Sequence, residues 1–439
     1  MIATANRIQG IEPVIAPFEP LPAERSREKF FTLDGDGALE MHIERTCKKV
    51  LAGVQRIILP QQLEGLLLGG GYGRGEGGVL RTKNGDRPYN DLEFYVLVRG
   101  KDWLNEKIYG RRLHRLAKSL APEAGVEIDF KIISRQTLRE SPASMFFYDL
   151  ISAHRWLLGD ESMLAGCEQH RQARDIPLHE ATRLLMNRCS GLLFAKEKLE
   201  SKSFDDTDAD FVSRNIAKAQ LALGDAVLTV FGQYHWSAMV RNRRLLELEV
   251  DENLPWLSEV RHYHETGLKF KFHPQINISR EVLQSEHEKI SALAQQVWLW
   301  LENRRLECHF LSMRGYALST LNKCPETDVE HNKLVNAKIF GFHVYFRTRS
   351  EHHPRERVLD ALAILLWLPW REKLDLQRAL EKQLKRDMSV GEFFQQAIVQ
   401  AVKLFAKLPV VGKFFSEFKF VSRQFNFADA YRKLWSEVK

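Results

Sequence analysis

The stretch Leu66-Leu67-Leu68-Gly69-Gly70-Gly71-Tyr72-Gly73-Arg74-Gly75-Glu76-Gly77-Gly78 decides how this chain is read. An apolar run that fits a buried strand empties into residues 69–78, of which seven are glycine. Glycine lets the backbone approach a bound anion and present N–H groups to it. Two segments with acids at strand spacing follow, Asn90-Asp91-Leu92-Glu93-Phe94-Tyr95-Val96 and Val126-Glu127-Ile128-Asp129-Phe130-Lys131-Ile132. Side chains alternate across a strand, so Asp91 and Glu93 share one face while Leu92, Phe94, Val96 and Val98 take the other. In the second strand Asp129 projects with Glu127 and Lys131, opposite Val126, Ile128, Phe130 and Ile132. If these strands pair, Asp91, Glu93 and Asp129 converge beyond the glycine segment. Three carboxylates held together repel one another, and a cation among them is the simplest remedy. A strand, an anion cradle and acid-bearing strands, in that order, are what phosphate chemistry on a metal ion requires.

This constellation resembles the nucleotidyltransferase superfamily typified by DNA polymerase beta and the antibiotic nucleotidyltransferases. The pattern there is an apolar strand, Gly-Gly or Gly-Ser, then Asp-x-Asp or Asp-x-Glu, then a third acid on a strand. Gly70-Gly71 fill the first element, and Asn90-Asp91-Leu92-Glu93 stands where small bacterial members often have Ser-Asp-x-Asp. Gly71 replaces a serine hydroxyl, and Glu93 the more usual aspartate. The resemblance covers roughly residues 63–160. It implies Mg2+, or Mn2+, held by Asp91, Glu93 and Asp129, with Asp129 placed to help deprotonate an acceptor hydroxyl. It also implies an NTP bound by the backbone at Gly70 and Gly71 and by the Arg74 side chain. A helical domain that closes over the triphosphate in such families often supplies a basic residue, for which Lys218 is the candidate. The acceptor stays open between a small molecule, a nucleotide and an RNA end. The alternative class is a non-catalytic nucleotide-binding regulator or antitoxin-like module.

Other readings of the glycines fare worse. Gly73-x-Gly75-x-x-Gly78 matches a dinucleotide-binding fingerprint, but that motif must open a helix, and residues 79–88 read as turn chemistry. A kinase glycine loop lacks its Val-Ala-x-Lys strand and His-Arg-Asp loop.

The expected fold is an α/β nucleotidyltransferase core, a short mixed sheet with flanking helices, followed by a mainly α-helical C-terminal region. An extended arm punctuated by Pro13, Pro17, Pro20 and Pro22 occupies residues 1–38, the catalytic domain 39–160, a helical domain closing the nucleotide site 161–249, and a further mainly helical domain 250–439. Helical periodicity is read at residues 39–58, 103–120, 178–199, 208–234, 281–306 and 358–384. Asp206 or Asp208 is the expected cap of the fourth of these. Residues 250–278 read as a Pro- and aromatic-containing connection, and 339–346 as strand-like. The tail at 402–438 interleaves Phe and Lys, which suits either a bundle core or a basic surface for membranes or bases.

The 439 residues are 44% hydrophobic and 28% charged, the balance of an ordinary folded protein. Net charge of +7 with pI near 9.0 favours an anionic partner. Five scattered cysteines without Cys-x-x-Cys spacing suggest free thiols in a reducing compartment. The longest apolar run, residues 361–370, contains Pro369 and is half the ~20 residues a span needs. With no signal-peptide core either, a cytoplasmic protein without a membrane span is expected.

Overall fold

The computed structural model describes residues 30–276, 278–340, 345 and 348–369. Helix α1 (Gly37–Ile57) opens where Asp36 accepts the N–H of Leu39, and buries Leu39, Ile43, Cys47, Val50 and Val54. Met41, read as part of that stripe, is 58% exposed. Strand β1 (Leu63–Leu68) leads into α2 (Gly70–Gly73), a single turn. Residues 79–88 hold more than a turn: β2 (Val79–Thr82) and β3 (Gly85–Pro88) form a hairpin, with Gly85 at φ +103 closing it. Strand β4 (Leu92–Val98) follows. The helix expected at 103–120 is α3 (Asp102–Asn105), a π-helical turn (Glu106–Gly110) and α4 (Arg111–Ala124) in direct succession. Then come β5 (Ile128–Ile133), α5 (Arg135–Glu140), α6 (Met145–Ser152) and β6 (Arg155–Leu158).

The main sheet has the order β5-β4-β1-β6, with β1 antiparallel to both neighbours and β4 parallel to β5. Helix α4 makes the crossover that a parallel pair demands. One face packs Leu66, Leu68, Phe94, Val96 and Ile132 against residues of α1 and α4. The other face is also covered: Leu67, Tyr95, Leu97 and Ile133 share a core with Leu138, Leu150 and Ile151 of α5 and α6. The alternation read from the sequence is therefore correct for the acids but misses this second core. On that face, near the starts of β4 and β5, Glu93 is half-buried and Asp129 exposed.

After 3-10 turns over residues 161–175 the chain is helical. Helix α7 (Leu178–Glu200) precedes α8 (Asp206–Val230), which is capped by Asp205 rather than by Asp206 or Asp208: its side chain accepts the Asp208 N–H. Helices α9 (Ala238–Glu247) and α10 (Leu257–Phe272) follow. The second corrects the reading of 250–278 as a connection. Pro255 and Pro274 flank α10, where proline is tolerated, and Leu257, Val260, Tyr263, His264, Leu268 and Phe272 supply a buried helical stripe. Helices α11 (Arg280–Arg305), α12 (Met313–Leu318) and α13 (Val329–Phe340) come next, the last including Ile339 and Phe340 where a strand was expected. Helix α14 (Arg355–Leu362) runs on as a π turn (Ala363–Trp367) that stops before Pro369. Residues 1–29, 370–384 and the tail at 402–438 lie outside the described residues. One apolar core holds Leu192, Val227, Leu245, Val260, Val297, Trp298 and Leu362, so it is continuous across position 250. All five cysteines are free, and no helix among the described residues is long and apolar enough to cross a membrane.

Candidate active site

The glycine segment is a tightly packed turn. Gly69 donates its N–H to the Glu93 carbonyl (2.9 Å), tying the end of β1 to the start of β4. Gly70 has φ +61, a conformation that penalises any side chain, and a Cβ there would fall 2.6 Å from Glu93 Oε1. At Gly73 a Cβ would lie 2.2 Å from the Leu68 carbonyl oxygen. Gly71 faces Lys271 of α10, whose Nζ lies 3.4 Å from where its Cβ would be. Gly78 leads into β2 and not into a helix, which removes the dinucleotide fingerprint.

Behind this turn lies a buried polar network that local sequence pattern did not reveal. Arg74, expected to reach departing phosphates, instead pairs through Nη1 with Asp149 Oδ2 of α6 (2.6 Å). Tyr234 donates its hydroxyl to the same oxygen (3.2 Å) and accepts from Arg241 Nη1 (3.3 Å). Arg241 Nε stands 2.7 Å from Asp225 Oδ1, which His264 Nε2 also approaches at 3.3 Å. Glu76 caps α9, accepting the Ala238 N–H (2.9 Å) and the Ser237 hydroxyl, while Lys271 Nζ donates to the Glu76 carbonyl (2.8 Å). Burial acts to raise the Glu76 carboxyl, but Lys271, Arg74 and these hydrogen bonds overcome it and hold it low. Burial pushes the Lys271 ammonium down to about 8, against the pull of Glu76.

Of the three acids, the register brings Glu93 and Asp129 side by side. Asp91 stands at the entry to β4, and Glu93 lies directly opposite Asp129 in the parallel register. Glu93 accepts the Tyr95 hydroxyl (2.7 Å). Burial raises its pKa, and Asp91 and Asp129 add to the rise although Tyr95 and Arg74 oppose it. Asp129 is raised too, by burial and then by Asp91 and Glu127. The three carboxylates therefore lie in one another's field. Hard oxygen donors of this kind suit Mg2+ or Mn2+. As the side chains stand, no three His, Cys, Asp or Glu groups among the described residues are gathered closely enough to form a metal cage.

Cations face these acids from the helices. Lys218 of α8 is exposed. Desolvation beside the packed helices and then Arg188 lower its pKa, while Asp91 and Glu93 favour its charge. Arg188 of α7, which the sequence reading passed over, is lowered by burial and sits in the fields of Asp225, Glu93 and Asp91. Neither side chain makes a hydrogen bond or ion pair among the described residues. The available signal was a single arginine within the apolar run Leu184-Leu185-Met186-Asn187-Arg188-Cys189. Lys271 went unforeseen because its segment was read as a connection.

No protein-family model matches the chain, and no curated protein matches it. Among solved structures, it is similar to a spectinomycin adenyltransferase from Enterococcus faecialis, crystallised with ATP and spectinomycin. The two share 14% identity over 58% of this chain and 98% of that one, with a TM-score of 0.33.

Proposed function

We propose that the chain is a metal-dependent nucleotidyltransferase that moves an NMP from an NTP to a hydroxyl acceptor and releases pyrophosphate. The observation that carries this reading is the register of Glu93 against Asp129, with the Gly70 turn pressed against Glu93 on the other side. Asp91, Glu93 and Asp129 are the residues to hold Mg2+ or Mn2+, which when bound neutralises phosphate charge and acidifies the acceptor hydroxyl. The N–H groups of Gly70 and Gly71 open a helical turn, where no intrahelical carbonyl meets them, and receive phosphate oxygens there. Lys271 adds its charge on that side, and Lys218 and Arg188 add theirs in the field of the acids. Arg74 acts as a positioning residue, fixing the turn to α6 through Asp149.

Asp129 takes the proton of the acceptor hydroxyl, a role that its place opposite Glu93 near the start of β5 suits. The hydroxyl oxygen bonds to the α-phosphorus as the bond to the bridging oxygen breaks. Pyrophosphate departs with that electron pair. Incubation of purified protein with each α-labelled NTP and Mg2+, with and without total RNA and small-molecule acceptors, tests the reading. Label transfer to any acceptor is expected. NTP binding with no transfer under every condition would put the nucleotide-binding regulator in its place.

A further inference from the structure

The helical crossover between β4 and β5 turns an unusual face to solvent. Tyr109 of the π turn and Leu113 and Ala117 of α4 are buried in the core shared with α1 and the sheet. On the outward side Trp103 is 60% exposed, and Leu104 and Ile108 are exposed with it. Leu59, 58% exposed, lies at the same end of the sheet. Its carbonyl accepts the Leu63 N–H, the Gln62 carbonyl accepts the Arg99 N–H (2.9 Å), and Asn105 Nδ2 reaches the Arg99 carbonyl (3.2 Å). Single apolar residues scattered over a surface are ordinary, but four at one end of a domain call for a partner.

The same face is basic. Residues 99–118 hold seven Lys and Arg against two acids, a net of +5 in a chain of +7. Trp103, Lys107, Arg111 and Arg115 succeed one another every four residues, which lines them along one side of the helix. Lys107 lies 5.1 Å from the Trp103 ring centroid. Lys101, Arg111, Arg115 and Lys118 are exposed and make no hydrogen bond or ion pair among the described residues. The nearby acids are engaged elsewhere. Asp102 accepts the Ser134 N–H (2.7 Å), Glu106 folds back over Gly110 of its own helix, Glu64 approaches Arg99 at 3.6 Å, and Glu123 pairs with Lys49 of α1. No carboxylate neutralises the row from Lys107 to Lys118.

We propose that this face is a peripheral docking surface for an anionic lipid bilayer, with the helices from α3 to α4 lying along it. Trp103, Leu104, Ile108 and Leu59 enter the headgroup and upper acyl region, and the Lys and Arg stems extend to the anionic headgroups around them. The aliphatic members favour this occupant over RNA, which is held by cations and stacked aromatic rings; Leu59, Leu104 and Ile108 offer it neither. Docking leaves the acids open. Helix α4 covers the sheet face of Phe94, Val96 and Ile132, while Glu93 and Asp129 project from the other. Trp103 also lies beyond the far end of β4 from Asp91, and β4 is seven residues or roughly 20 Å long. The inference stands apart from the nucleotidyl-transfer reading.

Flotation of the full chain with lipid vesicles tests it. Vesicles of phosphatidylcholine with about a third phosphatidylserine should carry the protein. Binding should fall at least about tenfold on pure phosphatidylcholine, or when salt rises from about 0.1 M to about 0.5 M. Two double variants at exposed positions, Trp103→Ser with Ile108→Ser and Arg111→Gln with Arg115→Gln, should each cut binding about tenfold and leave thermal unfolding unchanged. A labelled decauridylate, read by anisotropy, is the competing ligand. No binding to anionic vesicles, or binding that neither pair reduces, overturns the proposal. So does loss with the arginine pair alone, which is the general attraction of a basic protein to an anionic surface. Decauridylate binding that both pairs abolish, with the vesicles ignored, would assign the face to nucleic acid and overturn it as well.

Discussion

The two sides of the glycine turn treat charge in opposite ways. Behind it, Arg74 meets Asp149, Arg241 meets Asp225, and Glu76 is enclosed by Ser237, Ala238 and Lys271. In front of it, Asp91, Glu93 and Asp129 repel one another while Lys218 and Arg188 stand unpaired in the field of these acids. Charges left unmatched beside others that are matched are, under the proposed function, where the ligand belongs. On the proposed function, the paired set fixes geometry and the unpaired set meets substrate. Removing one of the former should damage folding, and removing one of the latter should damage function.

The largest effect on stability is expected at Asp225. Asp225→Ala strands the buried Arg241 guanidinium and removes a partner of His264. Breaking a buried pair from one side costs about 3–5 kcal/mol, measurable by urea unfolding. A loss under about 1 kcal/mol would show that the network is not what holds the helices to the turn.

Lys271 links the two regions, and its pH signature is the next largest. Its folded-state pKa of about 8 lies below the ordinary 10.5, so the unfolded chain binds more protons between those values. Stability should therefore rise with pH across that window, and below pH 8 the full penalty applies. The span amounts to at most about 3 kcal/mol. Lys271→Met should flatten the rise and weaken NTP binding. An identical pH dependence in wild type and variant would place the ammonium in water.

Gly71→Val should have a smaller, purely ligand-directed effect. Gly71 lacks the positive φ found at Gly70, so backbone strain is not the issue. A Cβ there lies 3.1 Å from the Glu76 carbonyl oxygen, and its methyl groups crowd Lys271 and any phosphate at the turn. About a tenfold loss of NTP affinity by calorimetry is expected, or about 1.4 kcal/mol, with cooperative unfolding retained. Unaltered affinity would put the phosphates elsewhere.

Much of the sheet that carries the acids was legible in the sequence because its signals are local. An apolar run located β1, and period-two alternation located β4 and β5 and placed Glu93 and Asp129 on one face, which the parallel register then set side by side. The glycines were legible as a special backbone but not as a packed one: the contacts that require Gly70 and Gly73 come from Glu93 and Leu68. Arg74 pointed to an anion because a cation beside glycines does so locally, whereas its partner Asp149 lies 75 residues away. Lys271 is 195 residues from Glu76, and no local pattern carries such a pairing. Helix α10 was missed because its two prolines were read as breakers when they only bound it. Lys218 was reached through its helix face, and Arg188 was hidden inside an apolar run that had already been explained as core.

The central claim, that the acids are a site and not a structural cluster, is tested by measuring nucleotidyl transfer and thermal unfolding on the same preparations of wild type, Asp91→Ala and Glu93→Ala. The account predicts at least about a thousandfold loss of transfer, several kcal/mol of transition-state stabilisation. It also predicts unfolding temperatures equal to or above wild type for Asp91→Ala in the metal-free protein, because the substitution relieves carboxylate repulsion, and a small change for Glu93→Ala, where that relief is offset by loss of the acceptor of the Tyr95 hydroxyl. Transfer within tenfold of wild type in either variant, or a clear loss of stability in both, would contradict it.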